Sequence, residues 1–405
     1  MTAPMQGVRV LEVAIYAFVP AAAAILADWG ADVLKVEHPT MGDPGRSTAA
    51  WGVPAEVNGV SHLWEVANRG KQAITLDLAT PEGKDILMKL VDDSDVFITN
   101  FLPAARRKLR IEPEDIQARN PGIIYARGSA QGPRGEMSER GGFDGVTYWT
   151  RTGASLGVTP PDALVPLAMP GPGFGDLQAG MALAGGIGAA LYHRERTGRG
   201  TVVDVSLMSV GLWAMGMTIS GTSVLDRDNL AHQYHDSSTN PLVNEYRTKD
   251  DGFVALAFLQ SDRYFPEFCV LVDRLGWLAD ERFTDSAARA EHSAQLVALL
   301  DELFLERDLA EWQELLSKQD GQWDTVLTAG QVQYDEQALA NGYVQRVEHD
   351  GDGKVVLVAA PVQFDGEAPV LGRAPAFSAD TDDVLHSHGL DADAVADLRA
   401  RGVIA

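Results

Sequence analysis

The sequence predicts an α/β fold, with a doubly wound large domain and a smaller α+β domain, and three observations carry that reading. Short apolar strands alternate with helical segments through the first 200 residues. The first strand, helix and strand follow one another directly as a βαβ unit, which requires a parallel sheet. Beyond a polar crossover at Val224–Pro241 the pattern changes to a hairpin followed by consecutive helices.

Taken in order, Val8–Val13 reads as a strand, Pro20–Trp29 as a helix stopped by Gly30, and Asp32–Val36 as the second strand. Ile74–Leu78 (ITLDL) is the next strand, and Pro81 and Glu82 open a helix that runs to about Val91. Asp95–Asn100 and Gly122–Ser129 add two more strands. A small-residue helix from Gly180 to about Leu191 is closed by HRERTGRG, whose basic side chains suit the negative end of a helix dipole. Thr201–Leu207 is a further strand, so the large domain is Rossmann-like. In the second region EYRTKDDGFVALAF forms a hairpin around Asp250–Asp251–Gly252, with helices near 262–276, 286–306 and 308–318. Asp380–Arg401 is helical and charged.

Composition narrows the function classes. At 405 residues and 45% hydrophobic content the chain has enough apolar material for two domains. Its start, MTAPMQGVRV, lacks the basic and apolar pattern of an export signal, and the single Cys269, set in FPEFCVLV, suits a reducing cytoplasmic compartment and a buried thiol. The apolar stretch Gly180–Tyr192 is too short and glycine-rich for a membrane span. A net charge of −24 excludes a broad nucleic-acid or anionic-membrane surface, so an anionic ligand must meet a local basic patch. The basic residues of the first 200 positions, among them Arg46, Arg106, Arg107, Lys108 and Arg140, are the candidates.

Several motifs compete. The turn from Val13 to Phe18 contains no glycine, so the dinucleotide fingerprint is missing from the one place where its mechanics would work. Gly153-Ala-Ser155-Leu-Gly157 matches the nucleophile elbow of serine hydrolases, but that elbow needs a strand before the serine and a helix after it, and here a helix-like segment precedes and two prolines follow. His232-x-x-His235-Asp236 has a metal-pair spacing without a third ligand nearby, and no metal is expected. In Gly171-Pro-Gly-Phe-Gly175-Asp176, the carboxylate stands at the start of the small-residue helix. Asp176 then reads either as an N-cap or as a functional group in a loop whose glycines allow close approach and whose N–H groups can stabilise an oxyanion.

These segments together resemble the class III CoA-transferase family, which includes formyl-CoA transferase and α-methylacyl-CoA racemase. The resemblance rests on VLEVAIYAFVPAAAAILADWGADVLKVEHP, GDPGR (Gly42–Arg46), NRGKQAITLDLATPEGK (Asn68–Lys84), DVFITNFLPAARRKL (Asp95–Leu109), RGGFD (Arg140–Asp144), GDLQAGMALAGGIGAALYHRERTGRGTVVDVSL and the closing LGRAPAFSADTDDVLHSHGL. It implies that Asp176 is a nucleophile, forming an acyl-aspartyl anhydride and then an aspartyl-CoA thioester, which splits one difficult exchange into easier steps. It carries CoA contacts onto Leu76, Asp77 and Leu78 near the adenine, onto Asn100 and Phe101 along the pantetheine, and onto Lys108, with Arg140 as a further contact. The family's usual arginine after the second-strand glutamate is His38 here, with Arg46 as its substitute at the phosphates. The substrates implied are an acyl-CoA and a free carboxylic acid, with no tightly bound cofactor. Racemases of the family place a proton-transfer histidine where this chain has Phe143, which cannot move a proton, so transfer is favoured over racemisation. A CoA-binding protein without activity is the reading from another class. The resemblance also implies an interlocked, ring-like homodimer. Its large domain would span about 1–200, completed by about 375–405, with linkers at 201–224 and 346–374 and a small domain at 225–345.

Overall fold

The computed structural model describes residues 3–47, 60–230, 234–349 and 354–405. Two compact units are formed, one from residues 1–230 with 335–405 and one from 231–334. The segments expected as linkers, 201–224 and 346–374, belong to the first unit and carry regular structure.

In chain order the first unit contains β1 (Arg9–Val13), α1 (Phe18–Asp28), β2 (Asp32–Glu37), α2 (His62–Asn68), β3 (Gln72–Thr75), α3 (Pro81–Asp92) and β4 (Val96–Thr99). There follow α4 (Pro103–Leu109), α5 (Pro113–Arg119), β5 (Ile124–Ser129), α6 (Ala154–Val158), α7 (Phe174–Thr197), β6 (Val202–Ser206), α8 (Leu207–Ala214) and α9 (Gly216–Leu225). The six strands form one parallel sheet in the order β3-β2-β1-β4-β5-β6. Because alternate strand residues face opposite ways, Val10, Val96, Ile98 and Ile124 join one core with α1 and α7, while Leu11, Phe97 and Tyr125 join another with α3 and the C-terminal segment. Helices on both faces explain why β4 is buried throughout. The pairing of α1 with α7 depends on small residues: a Cβ on Gly180 would lie 3.0 Å from Ala21 Cβ and from Phe18 O.

The strand expected at Ile74–Leu78 is displaced. It occupies Gln72–Thr75, because its partner β2 ends at Glu37, in register with Thr75. Leu76–Leu78 instead turn toward Thr80, which caps α3 by accepting from Gly83 N.

In the second unit β7 (Val243–Arg247) and β8 (Phe253–Ala257) form an antiparallel hairpin, with Asp251 at φ 65 in its turn. Helices α10 (Ser261–Leu271), α11 (Ser286–Glu291), α12 (Ser293–Phe304) and α13 (Leu309–Leu316) precede β9 (Trp323–Thr325), which pairs with β8, and α14 (Ala329–Val332). Its core collects Phe258, Phe265, Phe268, Phe304 and Trp312. Cys269 is buried there, and burial pushes its thiol up to about 12.

The chain then returns to the first unit through α15 (Glu336–Ala340), β10 (Val344–Glu348), β11 (Lys354–Val358), α16 (Thr381–Ser387) and α17 (Ala392–Ala400). This segment is tied to β3: Ala73 N donates to Asp380, Thr75 N donates to Thr381 Oγ1, and Asp77 N donates to Val403 O. No single helix among the described residues is long and apolar enough to cross a membrane; α8 and α9 pass that test only as a pair, bent by 61°.

Candidate active site

In an open parallel sheet, ligands bind beyond the carboxyl ends of the strands, where the strand order reverses. Here the reversal lies between β1 and β4. A cleft of about 900 Å³ opens beside it, lined by Ile15 and Tyr16 after β1, Asn100–Leu102 after β4, Ser129 and Ala130 at the end of β5, Arg140–Phe143, and Asp176.

Asp176 lies in the first turn of α7, not at its cap. The helix begins at Phe174 and its N-cap is Gly173, in the left-handed region at φ 75. The small-residue helix therefore starts earlier than its glycines suggest, and the capping role read for Asp176 is corrected. A different carboxylate serves this helix start: Asp144 Oδ2 accepts from Gly175 N at 3.1 Å, while its Oδ1 accepts from Gly145 N at 2.8 Å. Gly175 is required by close approach, since a Cβ there would fall 2.6 Å from the Tyr148 ring, whose hydroxyl donates to Gln178 at 2.8 Å. Asp176 itself is half-buried and accepts no hydrogen bond from the described residues. Burial, and secondly the Asp144 carboxylate, push its pKa up to about 7. A carboxylate so raised binds protons and electrophiles more strongly than an ordinary aspartate.

The opposite wall of the cleft is the β1–α1 loop, which is held at every residue. Ala14 O accepts from Lys35 Nζ at 2.9 Å; Ile15 N and O bond the Asn100 side chain at 3.0 and 2.6 Å; Tyr16 N donates to Asp43 Oδ1 at 2.9 Å. Tyr16 is thereby kept at φ 65, a region that non-glycine residues avoid. Under this loop lies a buried charge network. Lys35 bonds Glu12 at 2.7 Å and Asp43 at 2.8 Å, and Lys71 bonds the other Glu12 oxygen at 2.6 Å; all four side chains are fully buried. Burial opposes ionisation of Lys35, but Asp43 and Glu12 outweigh it and raise its pKa. Burial, opposed by Glu12 and reinforced by Lys35, lowers Lys71 to about 8.

The cleft brings together Asp176, Asn100, Phe101 and Arg140 of the expected site residues. It does not include His38, Leu76, Asp77, Leu78 or Lys108. His38 follows β2 and its Nδ1 accepts from Thr40 N and Met41 N. Leu76 is buried, with its N–H donated to Glu37 O, whereas Asp77 Oδ1 accepts from Ala79 N and Leu78 packs on the core. Lys108 is exposed on α4, where its neighbours Arg106 and Arg107 reach the cleft instead. Arg46 is unsuited to the phosphate role read for it. Its guanidinium pairs with both Glu37 oxygens, donates to Pro375 O and lies 3.8 Å over the Trp64 ring.

Tyr16, Arg127 and Asp144 were missed as site residues. The cleft position of Tyr16 depends on Asp43, 27 residues away, and Asp144 acts on Gly175 from 31 residues away, so no local pattern marks either. Ser155 sits inside the short helix α6, with no strand before it, and its hydroxyl donates to Leu167 O at 2.8 Å. That is not a hydrolase elbow. His232 lies outside the described residues, and His235 bonds Asn244 and Asp301. Among the described residues no group of three or more His, Cys, Asp or Glu side chains is placed to hold a metal ion.

Residues 5–381 match the sequence model of CoA-transferase family III. The chain is 31% identical over 340 residues to (R)-2-hydroxy-4-methylpentanoate CoA-transferase of Clostridioides difficile, covering 84% of each sequence. It is 30% identical over 353 residues to cinnamoyl-CoA:phenyllactate CoA-transferase of Clostridium sporogenes, covering 85% of this chain and 83% of that one. A CAIB/BAIF family protein from Brucella suis superposes with a TM-score of 0.81 at 26% identity, over 96% of this chain and all of the other.

Proposed function

Because this chain belongs to CoA-transferase family III, we propose that it moves coenzyme A from an acyl-CoA to a free carboxylic acid, with Asp176 as the covalent relay. The observation that carries this reading is the Asp176 carboxyl itself: half-buried, free of hydrogen bonds from the described residues, raised to about 7, and facing the cleft at the switch point of the sheet.

In the proposed cycle a carboxylate oxygen of Asp176 attacks the thioester carbonyl, the C–S bond breaks, and CoA leaves as thiolate from an acyl-aspartyl anhydride. The thiolate attacks the aspartyl carbonyl and releases the first acid as its carboxylate. The second acid then attacks the aspartyl-CoA thioester, giving a new anhydride, and the returning thiolate takes the new acyl group and frees Asp176. Each covalent state is an activated acyl group, so no step is steeply uphill. The N–H groups of Gly141, Gly142 and Phe143, which donate to no described residue, are our candidates for stabilising the oxyanion. CoA would run along the carboxyl edge of the sheet. Arg140 would serve the phosphates and Asn100–Phe101 the pantetheine, while His38, Leu76–Leu78 and Lys108 would lie toward the nucleotide. Since Leu76 is buried with its N–H already bonded, it would contribute packing at most. No tightly bound cofactor is required.

We further propose a homodimer, which the apolar face of α8 and α9 supports: Trp213 is 87% and Met217 93% exposed, and no residue of α9 is buried. A cytoplasmic setting is proposed with it and fits the single buried thiol.

The test is Asp176→Asn. The variant should fold and bind CoA while losing transfer by about three orders of magnitude or more. Wild-type protein charged with a competent acyl-CoA and treated with hydroxylamine should carry a hydroxamate at Asp176. Full activity in the variant, with no modified peptide in the wild type, would remove Asp176 from the mechanism.

A further inference from the structure

The walls of the cleft speak to what the transferred acid looks like. Leu102 and Phe143 are 48% and 55% exposed, although both are large and apolar. They belong to one continuous surface. Gly141 lies against Leu102, since a Cβ on it would be 3.5 Å from Leu102 Cδ2, and the Phe143 ring meets Tyr16 edge to face at 5.3 Å. This surface adjoins the reacting group, because Asp144, next to Phe143, bonds Gly175, next to Asp176. Apolar side chains left open beside a reactive carboxyl lose water favourably only to an apolar ligand.

The charges of the cleft point the same way. Arg106 donates to Phe101 O at 2.7 Å and pairs with Glu112 at 3.1 Å. Arg107 is bidentate with Glu139 at 2.9 Å, and Arg127 pairs with Asp204. Arg140 alone among the cleft's arginines has no such partner among the described residues, and a CoA phosphate would claim it. At the reacting end the charged neighbour of Asp176 is another carboxylate, Asp144. A second carboxylate on the substrate would therefore be desolvated beside negative charge with no free cation among the described residues to meet it.

We infer that the acyl group handled at this site is that of an apolar or aromatic monocarboxylic acid, seated against Leu102, Phe143 and Tyr16, and that dicarboxylic acids are rejected. This rests on the CoA-transfer reading above.

Isotopic self-exchange tests it without knowledge of the physiological pair. Carbon-13-labelled 3-phenylpropanoate is incubated with its unlabelled CoA thioester, and labelled succinate with succinyl-CoA; in each case label enters the thioester as unlabelled acid leaves. The expected result is a kcat/KM for phenylpropanoyl exchange about a hundredfold or more above that for succinyl exchange. Phe143→Ala should lower the phenylpropanoyl value about tenfold, chiefly through KM. Leu102→Arg, made at an exposed position, should move the ratio at least about tenfold toward succinate by supplying the missing cation. Succinyl exchange equal to or faster than phenylpropanoyl exchange in the wild type would overturn the inference while leaving transfer through Asp176 standing. Exchange with neither pair, together with no hydroxamate at Asp176, would overturn the transfer reading and this inference with it.

Discussion

In the transfer proposed above, Asp176 would be reactive and destabilising at once. Burial and Asp144 raise it to about 7, so in the folded protein it keeps a proton that the unfolded chain, with an ordinary aspartate near 3.8, has already released. A raised acid favours folding least when it must be charged: stability falls as pH rises from about 4 to about 7, and the full penalty remains above that. Asp176→Asn should therefore be more stable than wild type at pH 8, with the difference in Tm closing as the pH approaches 4. In the proposed cycle only the carboxylate attacks, so wild-type kcat/KM should rise with pH and level off above about 7, and Asp144→Asn, which keeps a capping side chain but removes the like charge, should move that inflection to lower pH. An unchanged inflection would mean that Asp144 acts on the helix and not on the nucleophile. The sequence singled out Asp176 by its glycine-rich setting and left it open between a cap and a functional group; its environment was not legible. The sequence shows an aspartate before a helix and cannot show that Asp144, 31 residues upstream of Gly175, already serves the helix start.

Among the elements, the strands were legible wherever apolar side chains alternate between two covered faces, and their ends were not. Hydrophobicity runs on through Ile74–Leu78, whereas pairing stops where β2 stops. Helices α4 and α5 went unread because each is seven residues long and opens with a proline, which reads as a turn unless the following packing is known. The β1–α1 loop was correctly seen to lack glycine, but the conclusion reached only as far as excluding dinucleotides. The structure shows the same left-handed turn made by Tyr16 and enforced by buried charges. Lys35→Met would leave Glu12 and Asp43 without their shared cation, and breaking such a pair costs about 3–5 kcal/mol. Urea unfolding should register that loss, and the surviving folded fraction should show a raised KM because Tyr16 is no longer fixed. A loss under about 1 kcal/mol would mean that Lys71 alone can neutralise the network.

For the molecule as a whole, the sequence suggested two regions with a closing segment that returns to the first, but the small unit spans 231–334 and not the expected 225–345, and α8 and α9 keep large apolar side chains exposed among the described residues. The proposed homodimer should appear as a single species of twice the 43.5 kDa chain mass by light scattering at micromolar concentration, and Trp213→Glu should weaken it; a monomeric wild type would leave α8 and α9 without an explanation. The ties between β3 and the closing segment bear on how the protein is made. Ala73 and Asp380 are 307 positions apart, and Thr75 and Thr381 306. A ribosome adding roughly 5–20 residues per second would leave the β3 edge of the sheet unsatisfied for tens of seconds, while residues 231–334 emerge and are free to fold as one contiguous block. The nascent chain thus carries an open strand edge until its closing segment is made, and chaperone demand should peak on the β3 region before then, falling only when residues 380–403 have left the exit tunnel.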